Sequence, residues 1–267
     1  MGEMISSFDG TKLFFNREVI GGARAAAVIV HGLCEHQGRY DYLAKLFHQA
    51  GITTYRFDHR GHGRSEGERT HYDDFNQLLD DTNAVVDIAL EENPDIPVFL
   101  IGHSMGGFTV SLYGAKYRDK NLRGIITSGA LTKDSGGLIT GVPKGQDPHF
   151  QLPNELGAGV CSVTEVVDWY GKDPYNSKTF TTGLCYALSG GLDWFQEAVK
   201  QFQYPVLMLH GEKDGLVNVR DTYYFFEAAP SEDKQMKIYG GLFHEIFNEY
   251  CKDEVIKDVI RWMEARI

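Results

Sequence analysis

Along the chain, short stretches rich in apolar and β-branched residues alternate with longer ones whose apolar positions recur every three or four residues. The first kind, Ala25 to Val30, Ile52 to Phe57, Val98 to Ile101, Gly124 to Ser128, Pro205 to Leu209 and Gln235 to Tyr239, predicts strands. The second kind predicts helices. Tyr40, Leu43, Leu46, Phe47 and Ala50 line one face and stop at Gly51, while Leu78, Leu79, Val85, Val86 and Leu90 line another behind a cap at Asp73 or Asp74. Further helices are predicted from Met105 onward and around Arg220 to Ala229, and Val255, Ile256, Val259, Ile260 and Met263 form the stripe of a closing helix. Asp9-Gly10 between two apolar stretches predicts an opening hairpin of Met4 to Phe8 and Lys12 to Glu18. Strands and helices alternating at this interval imply βαβ units, an α/β fold with a mostly parallel sheet and helices on both faces. From about Leu131 to Gln201 the alternation lapses into glycine-rich and aromatic segments, which predicts an insertion over the carboxyl end of the sheet.

Composition narrows the class without changing this picture. A chain of 267 residues with 42% hydrophobic and 24% charged positions suits one large α/β domain carrying an insertion. A formal charge of −11 repels nucleic acid and anionic membranes on average, leaving only transient contact with lipid surfaces to be considered. The first residues lack a basic-then-apolar leader, and no apolar run reaches the length of about eighteen residues that a membrane span requires. Cys34, Cys161, Cys185 and Cys251 are scattered without metal spacing, as expected of reduced thiols in a cytoplasmic protein.

Chemistry enters where the strand from Val98 gives way to the helix from Met105. Gly102-His103-Ser104-Met105-Gly106 is a G-x-S-x-G turn, which holds its serine in a strained conformation and leaves no room for side chains two residues to either side. The turn would lift the Ser104 hydroxyl above the sheet and aim the Met105 N–H, at the positive end of the helix, at the same point. A serine needs a base and an acid to orient it, and in folds of this kind the acid and then the histidine follow the nucleophile. His149, His210 and His244 lie downstream. His149 falls in the insertion and His210 ends a strand ahead of the preferred acid, which leaves His244. Glu212 and Asp214 share one loop, and Asp214 stands further past the strand end.

Five segments carry a resemblance. HGLCEHQGRY, FDHRGHGRSEGER, FLIGHSMGG, LMLHGEKDGLV and KIYGGLFHEIFNE resemble the corresponding segments of monoacylglycerol lipases and related lysophospholipase-like serine hydrolases of the α/β-hydrolase fold. The match runs in order over nearly the whole of residues 1–130 and 202–267, the expected catalytic domain, and implies that residues 131–201 are an inserted cap. It implies a triad of Ser104, Asp214 and His244, with an oxyanion hole from the backbone N–H groups of Leu33 and Met105. Within the cap, DWYGKDPY is similar to a recurrent family element through Tyr170, Asp173 and Pro174. Leu33-Cys34 departs from the small residues common at that place, which narrows the expected pocket.

These readings lead to a serine ester hydrolase acting on monoacylglycerols through an acyl-enzyme, with no metal or organic cofactor. Lysophospholipids, short-chain or aromatic esters are the alternative substrates, and a non-catalytic binding protein of the same fold is the alternative of another class. Phe150, Leu152, Leu156, Val160, Val163, Val166, Val167, Trp169, Phe180, Leu184, Trp194 and Phe195 supply enough apolar bulk for an acyl tunnel, or simply pack the cap. His31, Glu35 and His36 lack a third and fourth metal ligand at suitable spacing and are expected to brace their loop. The roles of Glu35, His36 and Cys34 stay open beyond that, as does the oligomeric state. His59, Arg60 and His62 are expected to be structural, and His103 to face away from the serine as a packing residue.

Overall fold

The computed structural model describes residues 2–155, 157 and 159–267. Its main sheet has eight strands: β1 (Glu3–Ser6), β2 (Lys12–Glu18), β3 (Ala25–Val30), β4 (Ile52–Phe57), β5 (Val98–His103), β6 (Leu122–Ser128), β9 (Val206–Gly211) and β10 (Lys234–Tyr239). They lie in the order β1-β2-β4-β3-β5-β6-β9-β10. The opening pair is antiparallel, β2 also runs antiparallel to β4, and every other neighbour is parallel. The first strand stops at Ser6 rather than Phe8, because Ser7 N–H already bonds the Thr11 carbonyl across the turn and the Phe8 ring swings out beneath the Arg60 guanidinium.

Helices α1 (Asp41–Gln49) and α7 (Lys252–Glu264) cover one face of the sheet, and α2 (Asn76–Glu92), α3 (Met105–Lys116) and α6 (Arg220–Ala228) cover the other. Strand β3 shows how one sequence serves both cores. Ala26, Val28 and Val30 point into the α2–α3 side, while Ala25, Ala27 and Ile29 point into the α1–α7 side, the two-residue period of a strand buried on both faces. Of the two candidate caps for α2, Asp74 accepts the Asn76 N–H at 2.7 Å.

From β3 the chain moves to β4 on one side and returns to β5 on the other. The loops leaving β3 and β5 therefore part above the middle of the sheet, the crevice where open α/β folds hold ligands.

Between β6 and β9 the chain adds nothing to this sheet. It forms a two-stranded antiparallel pair, β7 (Gln151–Pro153) and β8 (Thr179–Thr181), with α4 (Thr164–Lys172) between them and α5 (Thr182–Ala198) after them. The segment is fastened where it leaves the sheet: the buried Asp221 carboxylate accepts the backbone N–H groups of Thr132, Lys133, Asp134 and Ser135 at 2.7–3.1 Å. Its second half is no loose flap, because Leu184, Leu188, Leu192 and Phe195 of α5 belong to the same apolar core as α2 and α3.

The polar loop after β4 is held from beneath. Arg60 makes a two-pronged contact with the buried Asp81, both bonds 2.7 Å, and a third bond to Asp9. Removing the carboxylate would leave the buried guanidinium only its contact with the part-exposed Asp9, so Asp81→Ala is expected to cost about 3–5 kcal/mol in urea unfolding, the range for breaking one side of a buried pair. A loss below 1 kcal/mol would show that the pair behaves as a surface contact.

Candidate active site

Ser104 sits between the end of β5 and the start of α3 with φ 55° and ψ −118°, a conformation that side chains rarely adopt. The glycines around it act on the backbone rather than on the serine itself. A Cβ at Gly102 would fall 2.1 Å from the Gly106 carbonyl oxygen, and one at Gly106 would fall 2.1 Å from the Val30 oxygen of β3. Helix α3 thus starts hard against two central strands, and Met105, its first residue, carries one of the N–H groups that no helical carbonyl can accept. The Ser104 N–H bonds the Ser128 carbonyl at 2.9 Å, which ties the turn to β6.

The distant partners arrive on the loops after β9 and β10. Asp214 Oδ2 accepts from His244 Nδ1 at 2.6 Å, and Oδ1 accepts the N–H groups of Leu216 and Val217 at 2.8 and 2.9 Å. Gly129 gives this pair its space, since a Cβ there would stand 3.0 Å from His244 Nδ1 and 3.3 Å from Asp214 Oδ2. Burial alone would raise the Asp214 carboxyl, but the attraction of His244 and the bonds from His210 and His244 hold it well below the usual carboxylate range. Burial alone would lower His244, yet the Asp214 charge and hydrogen bond raise it above an ordinary imidazole. Glu212, the other acid of that loop, instead accepts the Gly241 N–H at 3.0 Å and props the histidine loop from outside.

Ser104, His244, Leu33 and Gly32 line one small cavity, closed over by Val160, Tyr170 and Leu216. The free space is about 20 Å³, enough for a single water and far below the hundreds of Å³ of a typical ligand site. An open acyl tunnel is therefore not what the described residues form at Ser104. Most of the aromatic and aliphatic residues proposed for it do other work: Leu184 and Phe195 are core, Leu152, Phe180 and Trp194 pack against that core, and Phe150 and Trp169 face solvent. Leu156 lies outside the described residues.

The turn that holds Leu33 rests on a buried charge network. Glu35 accepts the Gly32 N–H and the Tyr40 hydroxyl, both at 2.6 Å, and Arg39 at 2.5 Å; Arg39 also grips both oxygens of Glu245 at 2.7 Å. Cys34 adopts φ 60°, and its carbonyl accepts the Ser177 N–H at 2.9 Å, fastening the turn to the inserted segment. Burial pushes its thiol up, so it carries no reactive thiolate at neutral pH. His36 Nε2 meets the Asp173 carboxylate at 3.0 Å, a second tie to that segment. His31, His59 and His62 pack edge-to-face or tilted beneath with ring centroids 4.4–5.9 Å apart, and burial first of all drives all three below an ordinary imidazole, His62 to about 4. They are neutral packing and loop-bracing groups.

One expectation needs correction. His103 does not face away from the serine: it lines the same cavity, its ring lies 4.6 Å from that of His244, and its Nδ1 reaches the Ser128 hydroxyl at 3.1 Å. Burial and then the nearby His244 push it down to about 3, so it stays neutral beside the His244 charge. His210, set aside because it ends a strand, is buried against Asp214, its Nε2 3.0 Å from Oδ2 and from the Val217 oxygen and its Nδ1 2.7 Å from the Thr222 hydroxyl. The spacing His210-x-x-x-Asp214, one turn of a tight loop, was the available signal. His149 lies apart, against Glu68.

A serine at a strained strand–helix turn, beside a histidine oriented by a buried carboxylate on a mostly parallel sheet, defines a serine hydrolase of the α/β-hydrolase class. Residues 21–250 match the family model described as "Serine aminopeptidase, S33". The chain belongs to that family. It is 34% identical over 250 residues to a protein of Mycolicibacterium smegmatis named monoacylglycerol lipase, covering 91% of this chain and 89% of that one. It is 32% identical to the monoglyceride lipase of Rattus norvegicus, covering 97% and 89%. Among solved structures, the monoacylglycerol lipase of Paleococcus ferrophilus superposes with a TM-score of 0.83 at 26% identity, covering 96% of this chain and 99% of that one.

The His244 environment predicts its titration. Followed by NMR, His244 is expected to titrate above 6.5, and in Asp214→Asn, where burial remains and the attraction is lost, below it. A midpoint that does not move on this substitution would show that the carboxylate does not set the imidazole's charge.

Proposed function

We propose that this protein hydrolyses carboxylic esters, with single-chain acylglycerols as its substrate class, and that Ser104, His244 and Asp214 carry the reaction. The observation that bears most weight is the 2.6 Å contact of His244 Nδ1 with Asp214 in the cavity that Ser104 also lines. His244 Nε2 takes the Ser104 hydroxyl proton as Oγ attacks the ester carbonyl, and Asp214 stabilises the resulting imidazolium. The N–H groups of Leu33 and Met105 receive the oxyanion, a contribution of about 3–4 kcal/mol for such a donor. Collapse of the adduct breaks the bond to the alcohol, which leaves with the proton from His244. Water, deprotonated by His244, then attacks the acyl-enzyme and releases the fatty acid.

Names of relatives favour acylglycerols, and the charge network favours esters over peptides with a free amino end. A cationic amino terminus needs an unpaired carboxylate at the site. The two that line the cavity, Glu35 and Glu245, are both already ion-paired to Arg39.

The cavity is too small for substrate, so residues 131–201 serve as a cap that shifts to admit it. The strap at 160–162 covers the cavity through Val160, and opening it would break the bond from Glu245 N–H to the Val160 carbonyl (2.8 Å) and the bonds from the Ser162 N–H and hydroxyl to the buried Glu249 carboxylate. Exposed Trp169 and Phe150 on the same segment suit contact with a lipid surface. Among the described residues no helix is long and apolar enough to cross a membrane, and we place the protein in the cytoplasm.

Ser104→Ala is expected to lower kcat on a monoacylglycerol by a factor of about 10⁴–10⁶ with an unchanged melting temperature, and a fluorophosphonate should label only the wild type. Turnover retained in this variant would end the proposal. Because His244 must be neutral to act as base, kcat/KM should fall on the acid side with a midpoint above 6.5. Rates measured across acyl lengths, with lysophosphatidylcholine and nitrophenyl esters alongside, assign the substrate: faster hydrolysis of either comparison ester would displace acylglycerols.

A further inference from the structure

Away from Ser104, the loop after β4 meets the inserted segment at a second cluster of donor groups. Glu68 and His71 come from the loop and His149 from the segment, and one donor atom from each lies within 4.8 Å of the others. His149 Nδ1 faces the two Glu68 oxygens at 2.9 and 3.0 Å, and its ring stacks on that of His71 with centroids 4.5 Å apart and planes 18° from parallel. A Cβ at position 183 would lie 2.5 Å from His71 Cε1, so Gly183 of α5 leaves the space in which the ring sits.

The surrounding hydrogen bonds settle the His71 tautomer. Thr181 Oγ1 has a single proton and donates it to the Thr70 carbonyl at 2.9 Å. Its 3.2 Å contact with His71 Nδ1 therefore requires the proton to be on Nδ1. Nε2 is then the ring nitrogen available to a ligand, and it faces Asp73 Oδ1 at 3.4 Å. Two imidazoles and two carboxylates, Glu68 and Asp73, thus converge where the loop meets the inserted segment.

We propose that Glu68, His71 and His149 bind a divalent late first-row cation, zinc by the chemistry of the set, with Asp73 adjacent as a further ligand. Two imidazoles and a carboxylate form a common zinc set, and the exposure of the site leaves a position for water. Donors on tetrahedral zinc stand about 3.4 Å apart. The exposed His149 closes the remaining distance by turning its ring out of the stack. The ion is structural, since none of its ligands lines the Ser104 cavity. It cross-links the core loop to the inserted segment just ahead of β7, so it would secure one end of the cap while the strap at 160–162 moves.

The test uses the full chain stripped with EDTA and then titrated with zinc by calorimetry, and with cobalt followed by visible absorption. One saturating equivalent of zinc is expected, with a rise in melting temperature and a cobalt spectrum of mixed nitrogen and oxygen ligation. His149→Ala and Glu68→Gln, both exposed positions, should fold, keep the ester hydrolysis of the stripped wild type, lose the cobalt bands and weaken zinc roughly 100-fold or more. Absence of saturable zinc binding by the wild type, or equal affinity in both variants, would overturn the site.

Discussion

The close approach of three backbones at Ser104 is the constraint from which the site follows. Strands β3 and β5 and the first turn of α3 come together so tightly that neither Gly102 nor Gly106 has space for one more carbon. That contact supports the positive φ of Ser104, which an isolated turn would abandon. It also fixes where the hydroxyl and the Met105 N–H emerge relative to the loop leaving β3. The strain is local, and the packing that opposes it is the centre of the sheet.

Around this point the protein uses buried charge for position. Asp214 is satisfied on both oxygens, by two backbone N–H groups and by two imidazoles, so it can orient His244 without pivoting. Arg39 joins Glu35, beneath the turn of Leu33, to Glu245, next to His244. The two loops that flank the serine are thereby parts of one network. Glu249 extends it: the same carboxylate accepts the Phe243 N–H beside the histidine and the Ser162 N–H on the strap above the cavity. Movement of the strap and placement of the histidine loop are consequently not independent.

Much of this was legible in the residue pattern. The parallel sheet, its helices, the turn at Ser104 and the loop positions of Asp214 and His244 follow from local rules: apolar period, glycine at tight turns, and connections that lead from each strand to its carboxyl end. The inserted segment was legible as a lapse in alternation. Its interior was not, because the same apolar residue, Phe195 among them, reads alike whether it meets a substrate chain or packs the cap, as Phe195 does against the Phe225 ring of α6 at 5.5 Å. His103 was misjudged for a related reason. It was assigned by the local geometry of the Ser104 turn, and its surroundings are set by His244 on the loop after β10.

Sequence alone determined the elements, their order and the residue types capable of the chemistry, since these depend on periodicity and on the steric demands of single turns. Tertiary structure decided which of the ten histidines meets which carboxylate, that Arg39 bridges both glutamates at the site, and that the cavity over Ser104 is closed. Those facts depend on distances between segments many residues apart, and such distances are set by packing, on which local pattern is silent.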